Sequence, residues 1–99
     1  NGGNVMLFAL KGLLNMRNFK WANDFSPLDP DGTSFVDHAY SRAYVRHLFV
    51  SQELLALQIG AIHNLCFYLH LMDEARRHII EGDFSQWKRA IIPQLTHRL

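Results

Sequence analysis

Ninety-nine residues fit one small domain and not two. Ten Lys and Arg stand against nine Asp and Glu, a net charge of +1, which excludes the basic excess of a dedicated nucleic-acid binder. Cys66 is the only cysteine, so no intrachain disulfide can form and a reducing cytoplasm fits best.

The chain opens Asn1-Gly2-Gly3-Asn4 with no initiator Met, and a shortened piece of a longer protein is the expectation. Val5 to Leu10 is a short apolar run, followed by Lys11-Gly12 and the run Leu13 to Met16. This pattern predicts a β-hairpin whose two-residue turn uses Gly12 for a positive φ. Asn18 to Gly32 reads as an irregular stretch, with Pro27 and Pro30 forbidding a helix among dense turn formers. From about His38 the period becomes helical: Tyr40, Ala43, Tyr44, His47 and Leu48 share one face. Ser51 is expected to cap a second, long helix with Glu53 in its first turn. Its stripe runs from Leu55 through Ile59, Ile62, Cys66, Leu69 and Met72 to Ile79. Apolar residues off that stripe, such as Leu57, Leu65 and Leu71, predict a helix buried on most sides, more than this chain can cover. A partner subunit or the rest of a larger domain is therefore expected. Gly82 stops the helix, Asp83 with Gln86 forms a capping box for a short last helix, and Pro93 ends or bends it. The apolar run Leu65 to Met72, broken by His70, is too short to span a bilayer, so no membrane is expected.

Few constellations suggest chemistry. His63, His70 and His78 are spaced about two helical turns apart, roughly 10 Å, too far for one metal ion. Cys66 on the apolar stripe reads as a small core residue. Asp24, Asp29, Asp31 and Asp37 cluster where turn formation accounts for them. Arg42, Arg46, Arg76, Arg77, Arg89 and Arg98 are scattered, as on a solvated face. Pattern alone thus stops at a hairpin plus helices without their surroundings.

Ordered motifs go further. Tyr40-Ser41-Arg42-Ala43-Tyr44-Val45-Arg46-His47-Leu48, then Ile62-His63-Asn64-Leu65, Phe67-Tyr68 and Leu71-Met72 resemble the carboxy-terminal block of tRNA-guanine transglycosylases (queuine tRNA-ribosyltransferases). Arg17-Asn18, Ser26-Pro27-Leu28-Asp29-Pro30 and Ile80-Glu81-Gly82-Asp83-Phe84 agree in the same order, so the resemblance covers about residues 1–87. It implies the last part of a (β/α)8 barrel with a zinc subdomain. It also implies exchange of guanine at the tRNA wobble position for a 7-deazaguanine base, through an aspartate that attacks the ribose. That nucleophile lies upstream of Asn1 in the family, so no catalytic residue is expected here. An arginine that serves tRNA contact in the family is replaced by Gly3, and no tRNA-contacting residue can be named. Zinc is implied too, held by Cys-x-Cys-x-x-Cys and a later histidine. Here those positions are Gly32, Ser34, Asp37 and His63, so the cofactor expectation is none. A hydrogen bond between Asp37 and His63 is expected in place of the metal, with His38 as a rival partner for Asp37. The resemblance also implies a homodimer contact through Tyr40, Tyr44 and His47.

The resulting expectation is an α+β, mostly helical fragment: hairpin and turn-rich loop over 1–37, then two or three helices over 38–99. Its parent is a cytoplasmic, homodimeric enzyme acting on tRNA, and the fragment alone is inactive. The alternative is a non-catalytic helical interaction subunit of the same family.

Overall fold

In a computed structural model, which describes residues 5–99, a two-stranded hairpin sits against the first part of one long helix. Strands β1 (Met6–Ala9) and β2 (Gly12–Asn15) pair antiparallel in the register Met6 with Asn15 through Ala9 with Gly12. The two turn residues are therefore Leu10 and Lys11, not Lys11 and Gly12. Gly12 is the first paired residue of β2, at φ 147°, and a Cβ there would lie 2.2 Å from the carbonyl oxygen of His97. Its glycine serves the close approach of the chain end as well as the turn. Asn1 to Asn4, including Gly3, lie outside the described residues.

Four helices follow a 3-10 turn at Phe19–Trp21: α1 (Val36–Ala39), α2 (Arg42–Val50), α3 (Leu54–Glu81) and α4 (Phe84–Thr96). The expected single helix from His38 is broken at Tyr40, whose backbone is extended. Tertiary bonding causes the break: the Tyr40 carbonyl accepts the N–H of Leu28 at 2.9 Å. Ser41 then caps α2, its hydroxyl accepting from the Tyr44 N–H at 3.1 Å. Ser51 ends α2 and does not cap α3. Gln52 turns the chain at φ 58° and Glu53 occupies the cap position of α3 without a side-chain bond. Gly82 does stop α3 in the left-handed conformation, φ 86°. The capping box at Asp83 does not form, because the Asp83 carboxylate accepts instead from His78 Nδ1 at 2.7 Å. Pro93 neither starts nor ends α4, which runs on to Thr96.

The core lies where the hairpin, α2 and α3 meet: Leu7, Leu14, Met16, Val45, Phe49 and Ile59 are all buried. Burial of each such side chain contributes about 1.5–3 kcal/mol. Only the first third of α3 takes part, through Ala56, Ile59, Gly60 and His63. Gly60 fits close packing, since a Cβ there would touch the Phe49 ring at 3.3 Å. Beyond His63 the helix surfaces: Leu69, Met72 and Ile79 on the stripe and Leu65 off it are exposed, so this chain alone does not cover the helix. With 28 residues, α3 is long and apolar enough to cross a bilayer by length and composition, which corrects the limit read from Leu65 to Met72. The core helix of a soluble domain meets the same criterion, and the hairpin is packed on this one.

Both outer edges of the hairpin are covered, which satisfies backbone groups that would otherwise template aggregation. Along β2, the Leu13 N–H donates to the His97 carbonyl at 2.7 Å and the Leu13 carbonyl accepts from Leu99 at 3.0 Å. Along β1, α3 provides the cover through two consecutive side chains, His63 and Asn64.

Candidate functional site

The hairpin edge, the 29–37 loop and α3 converge on His63, which has no exposed side-chain surface. Its position follows from helix periodicity, one turn beyond Ile59, so the ring enters at the end of the apolar contact. Nδ1 contacts Asp37 Oδ1, and Nε2 lies 2.6 Å from the Phe8 carbonyl oxygen. Neighbouring Asn64 accepts the Phe8 N–H at 3.0 Å, so these two residues meet both backbone groups of Phe8. The loop is shaped for its carboxylate. Asp37 Oδ2 accepts the Ser34 N–H at 3.0 Å, and the Asp37 carbonyl accepts the Asp29 N–H at 3.2 Å. His38 does not compete: its Nε2 donates to the Gly32 carbonyl at 2.8 Å.

Both ring nitrogens of His63 face acceptors, a carboxylate and a carbonyl. A proton on each nitrogen satisfies both acceptors at once, so the geometry favours an imidazolium. The electrostatics agree. Burial of His63 opposes its charge, but the hydrogen bond and charge of Asp37, the Phe8 carbonyl and Asp29 outweigh it and raise its pKa. Burial likewise pushes the Asp37 carboxyl up, yet the bonds from His63 and Ser34 win and hold it below the usual range. Asp29 is the third buried group. Burial first, and then the neighbouring Asp37 charge, raise its pKa. Residue types alone had marked Asp29 only as a turn former; its burial beside Asp37 comes from the fold of the loop.

Other expected residues fall elsewhere. Tyr40 and Tyr44 stack with ring centroids 5.7 Å apart; Tyr44 and His47 are exposed and Tyr40 is half-buried. Several arginines have structural partners: Arg42 donates to the Leu28 carbonyl and lies over Trp21, and Arg77 is paired with Glu74 and Glu81. An open groove of about 580 Å³ between Trp21 and the chain end is lined by Lys11, Lys20, Arg42 and Arg98 as well as by Asp29 and Asp31.

Comparison with known proteins now decides the family. A family model described as queuine tRNA-ribosyltransferase matches residues 1–97. The chain belongs to the queuine tRNA-ribosyltransferase family. The match extends ten residues past the resemblance read from sequence over 1–87, to His97, whose carbonyl accepts a hydrogen bond from β2. A queuine tRNA-ribosyltransferase of Aquifex aeolicus is 40% identical over 93 residues, covering 94% of this chain and 25% of that protein. One from Desulforapulum autotrophicum is 43% identical over 89 residues, covering 90% of this chain and 24% of that protein. One from Desulfosudis oleivorans is 40% identical over 90 residues, covering 91% and 23%. The chain thus spans about a quarter of the length of the curated relatives it matches.

The zinc that the resemblance implies does not suit the residues present. A structural zinc wants four ligands, usually thiolate or imidazole. Gly32 offers none, and the buried Ser34 hydroxyl is neutral and without a hydrogen-bond partner. Asp37 contacts His63 directly, so the oxygen and the nitrogen that would face a metal are engaged with each other. Donor atoms of Asp29, Asp37 and His63 do lie within 4.8 Å of one another, but they are two carboxyls and one imidazole, with no thiolate and no fourth ligand among the described residues.

Proposed function

We propose that this chain is the carboxy-terminal part of a cytoplasmic tRNA-guanine transglycosylase that exchanges a wobble-position guanine for a 7-deazaguanine base. The observation that carries the reading is the family match over residues 1–97, at about a quarter of the length of enzymes bearing that name. In this reading the barrel and its nucleophilic aspartate belong to the rest of the protein. Residues 1–99 supply packing, a dimer contact and support for the tRNA backbone. Basic side chains around the groove at Lys11, Lys20 and Arg98 are the candidates for that support, since phosphate contacts position a nucleic acid without reading its sequence.

Two results are expected. The full-length protein should incorporate labelled guanine into cognate tRNA, while the 99-residue chain alone shows no turnover above a protein-free blank. Turnover by the short chain would overturn the assignment of the chemistry to the remainder. A full-length protein inactive with every deazaguanine base would favour the non-catalytic interaction subunit.

The stacked Tyr40 and Tyr44, with exposed His47, are proposed as the homodimer contact. Tyrosine joins large rigid area to a polar tip, which makes it a frequent interface anchor. Tyr44→Ala in the full-length protein should weaken dimerisation by more than about 1 kcal/mol in sedimentation equilibrium. An unchanged dissociation constant would remove Tyr44 from the interface.

A further inference from the structure

The bare Cα of Gly32 is the most informative feature of the buried site. A Cβ built there would stand 2.0 Å from Asp37 Oδ2 and 2.4 Å from its Cγ. No carboxylate could occupy that seat if residue 32 carried a side chain. The backbone at Gly32 does not itself demand glycine, because only Gly12 and Gly82 have positive φ among the described glycines. Space for the neighbour is therefore what glycine provides. The same carboxylate is held from two further sides, by the Ser34 N–H and by His63. The other ring nitrogen of His63 reaches across to the hairpin at the Phe8 carbonyl. One connected set of bonds thus joins loop, helix and hairpin, with every ring nitrogen and both carboxylate oxygens occupied.

We propose that the Asp37–His63 pair, seated against Gly32, is a metal-free lock that fastens the 29–37 loop and the hairpin to α3 where a zinc ion would sit in the family. The glycine and the aspartate act as one unit: loss of a side chain at position 32 opens the volume that the carboxylate fills. An ion pair between a carboxylate and an imidazolium supplies the attraction, and the charge assistance makes the bond strong without a metal. The lock has no thiolate, so oxidants and chelators that dismantle a cysteine-held zinc have nothing to act on.

The test uses the full-length protein grown with zinc and purified without chelator. Elemental analysis should find no zinc that depends on His63, and melting should be the same with and without EDTA. About one divalent ion per chain, removed by EDTA with a fall in Tm and missing from His63→Ala, would overturn the lock and place a metal on Asp29, Asp37 and His63. The seat is tested separately. Gly32→Ala should lower Tm in the natural background and have much less effect in an Asp37→Gly background, because all three atoms nearest the added Cβ belong to the Asp37 side chain, its own Cβ at 2.9 Å included. An equal loss in both backgrounds would refute the coupling. Finally, the triple variant Gly32→Cys, Ser34→Cys, Asp37→Cys should take up about one zinc per chain, with His63 freed to act as the fourth ligand, and should become sensitive to EDTA. A folded triple variant that binds no zinc would overturn the claim that the pair stands in the metal's place.

Discussion

Asp37→Ala should lower the local stability of the hairpin–helix unit by about 3–5 kcal/mol, the range for removing one partner of a buried ion pair. Three losses combine. The imidazolium of His63, with no exposed side-chain surface, loses its counter-charge. The Ser34 N–H loses its acceptor, and a small void opens beside Gly32. Solvent cannot soften the first loss, since the Asp37 side chain is only 2% exposed. His63 can shed its proton and keep its Nε2–H bond to the Phe8 carbonyl, but Nδ1 is then a buried acceptor that has lost its partner. Asp37→Asn should cost less, because an amide oxygen still accepts from Ser34 or His63. Hydrogen exchange at the α3 amides around Ile59 to His63 in the full-length protein would report the local opening free energy. Protection unchanged by Asp37→Ala would mean that the apolar contacts of Leu7, Leu14 and Ile59 alone hold the unit.

Local rules made the outline readable. Two apolar runs around Gly12 located the hairpin, and Gly82 located the end of α3, because each feature depends on neighbouring residues. Errors gathered where distant parts of the chain set the backbone. Tyr40 carries a helical spacing, but its carbonyl is claimed by Leu28, twelve residues earlier in the chain, and the helix breaks there. The capping box at Asp83 has the right residues, yet His78 takes the carboxylate. Pro93 stays inside α4, where Gln94 fastens the helix to the hairpin turn through the Leu10 carbonyl at 2.5 Å. A proline costs a helix one N–H bond, and a tertiary contact on the next residue can offset that.

The candidate site was legible in part, and for different reasons. Asp37 and His63 were picked out by their places in the family motif, since nothing periodic links residues 26 apart in the chain. Two participants carried no sequence signal. The Phe8 carbonyl is a backbone group, and Asp29 looks like any turn aspartate until the loop folds it against Asp37. Gly32 registered only as a missing ligand. Its positive role, making room for a carboxylate, depends on a distance of 2.0 Å that no composition argument reaches.

Raising the pH should weaken the lock, and the sign follows from the two partners. His63 has a folded pKa above its ordinary 6.5, because the bond and charge of Asp37 and the Phe8 carbonyl outweigh burial. Such a group contributes stability that is complete below the unfolded value and lost as pH climbs through the raised folded value. Asp37 has a folded pKa below its ordinary 3.8, so its contribution is complete above that value and lost only as pH falls through the lower one. The pair is therefore strongest between about 3.8 and 6.5 and declines on the alkaline side. Asp29 acts from the acid side: burial raises its pKa, so its own contribution is complete below 3.8 and fades as pH climbs through the raised folded value. His70 and Asp31 line the same small cavity as His63 and also face the site. Other groups of a full-length protein will titrate as well, so the informative quantity is a difference. The Tm of the natural protein minus that of His63→Gln should be largest below the ordinary histidine value of 6.5 and should shrink across the alkaline range, as pH climbs through the raised folded value. Glutamine keeps one donor for the Phe8 carbonyl or Asp37 but cannot carry the charge. A difference that stays flat across that range would show that His63 holds the loop as a neutral ring, and the charge would have no part in the lock.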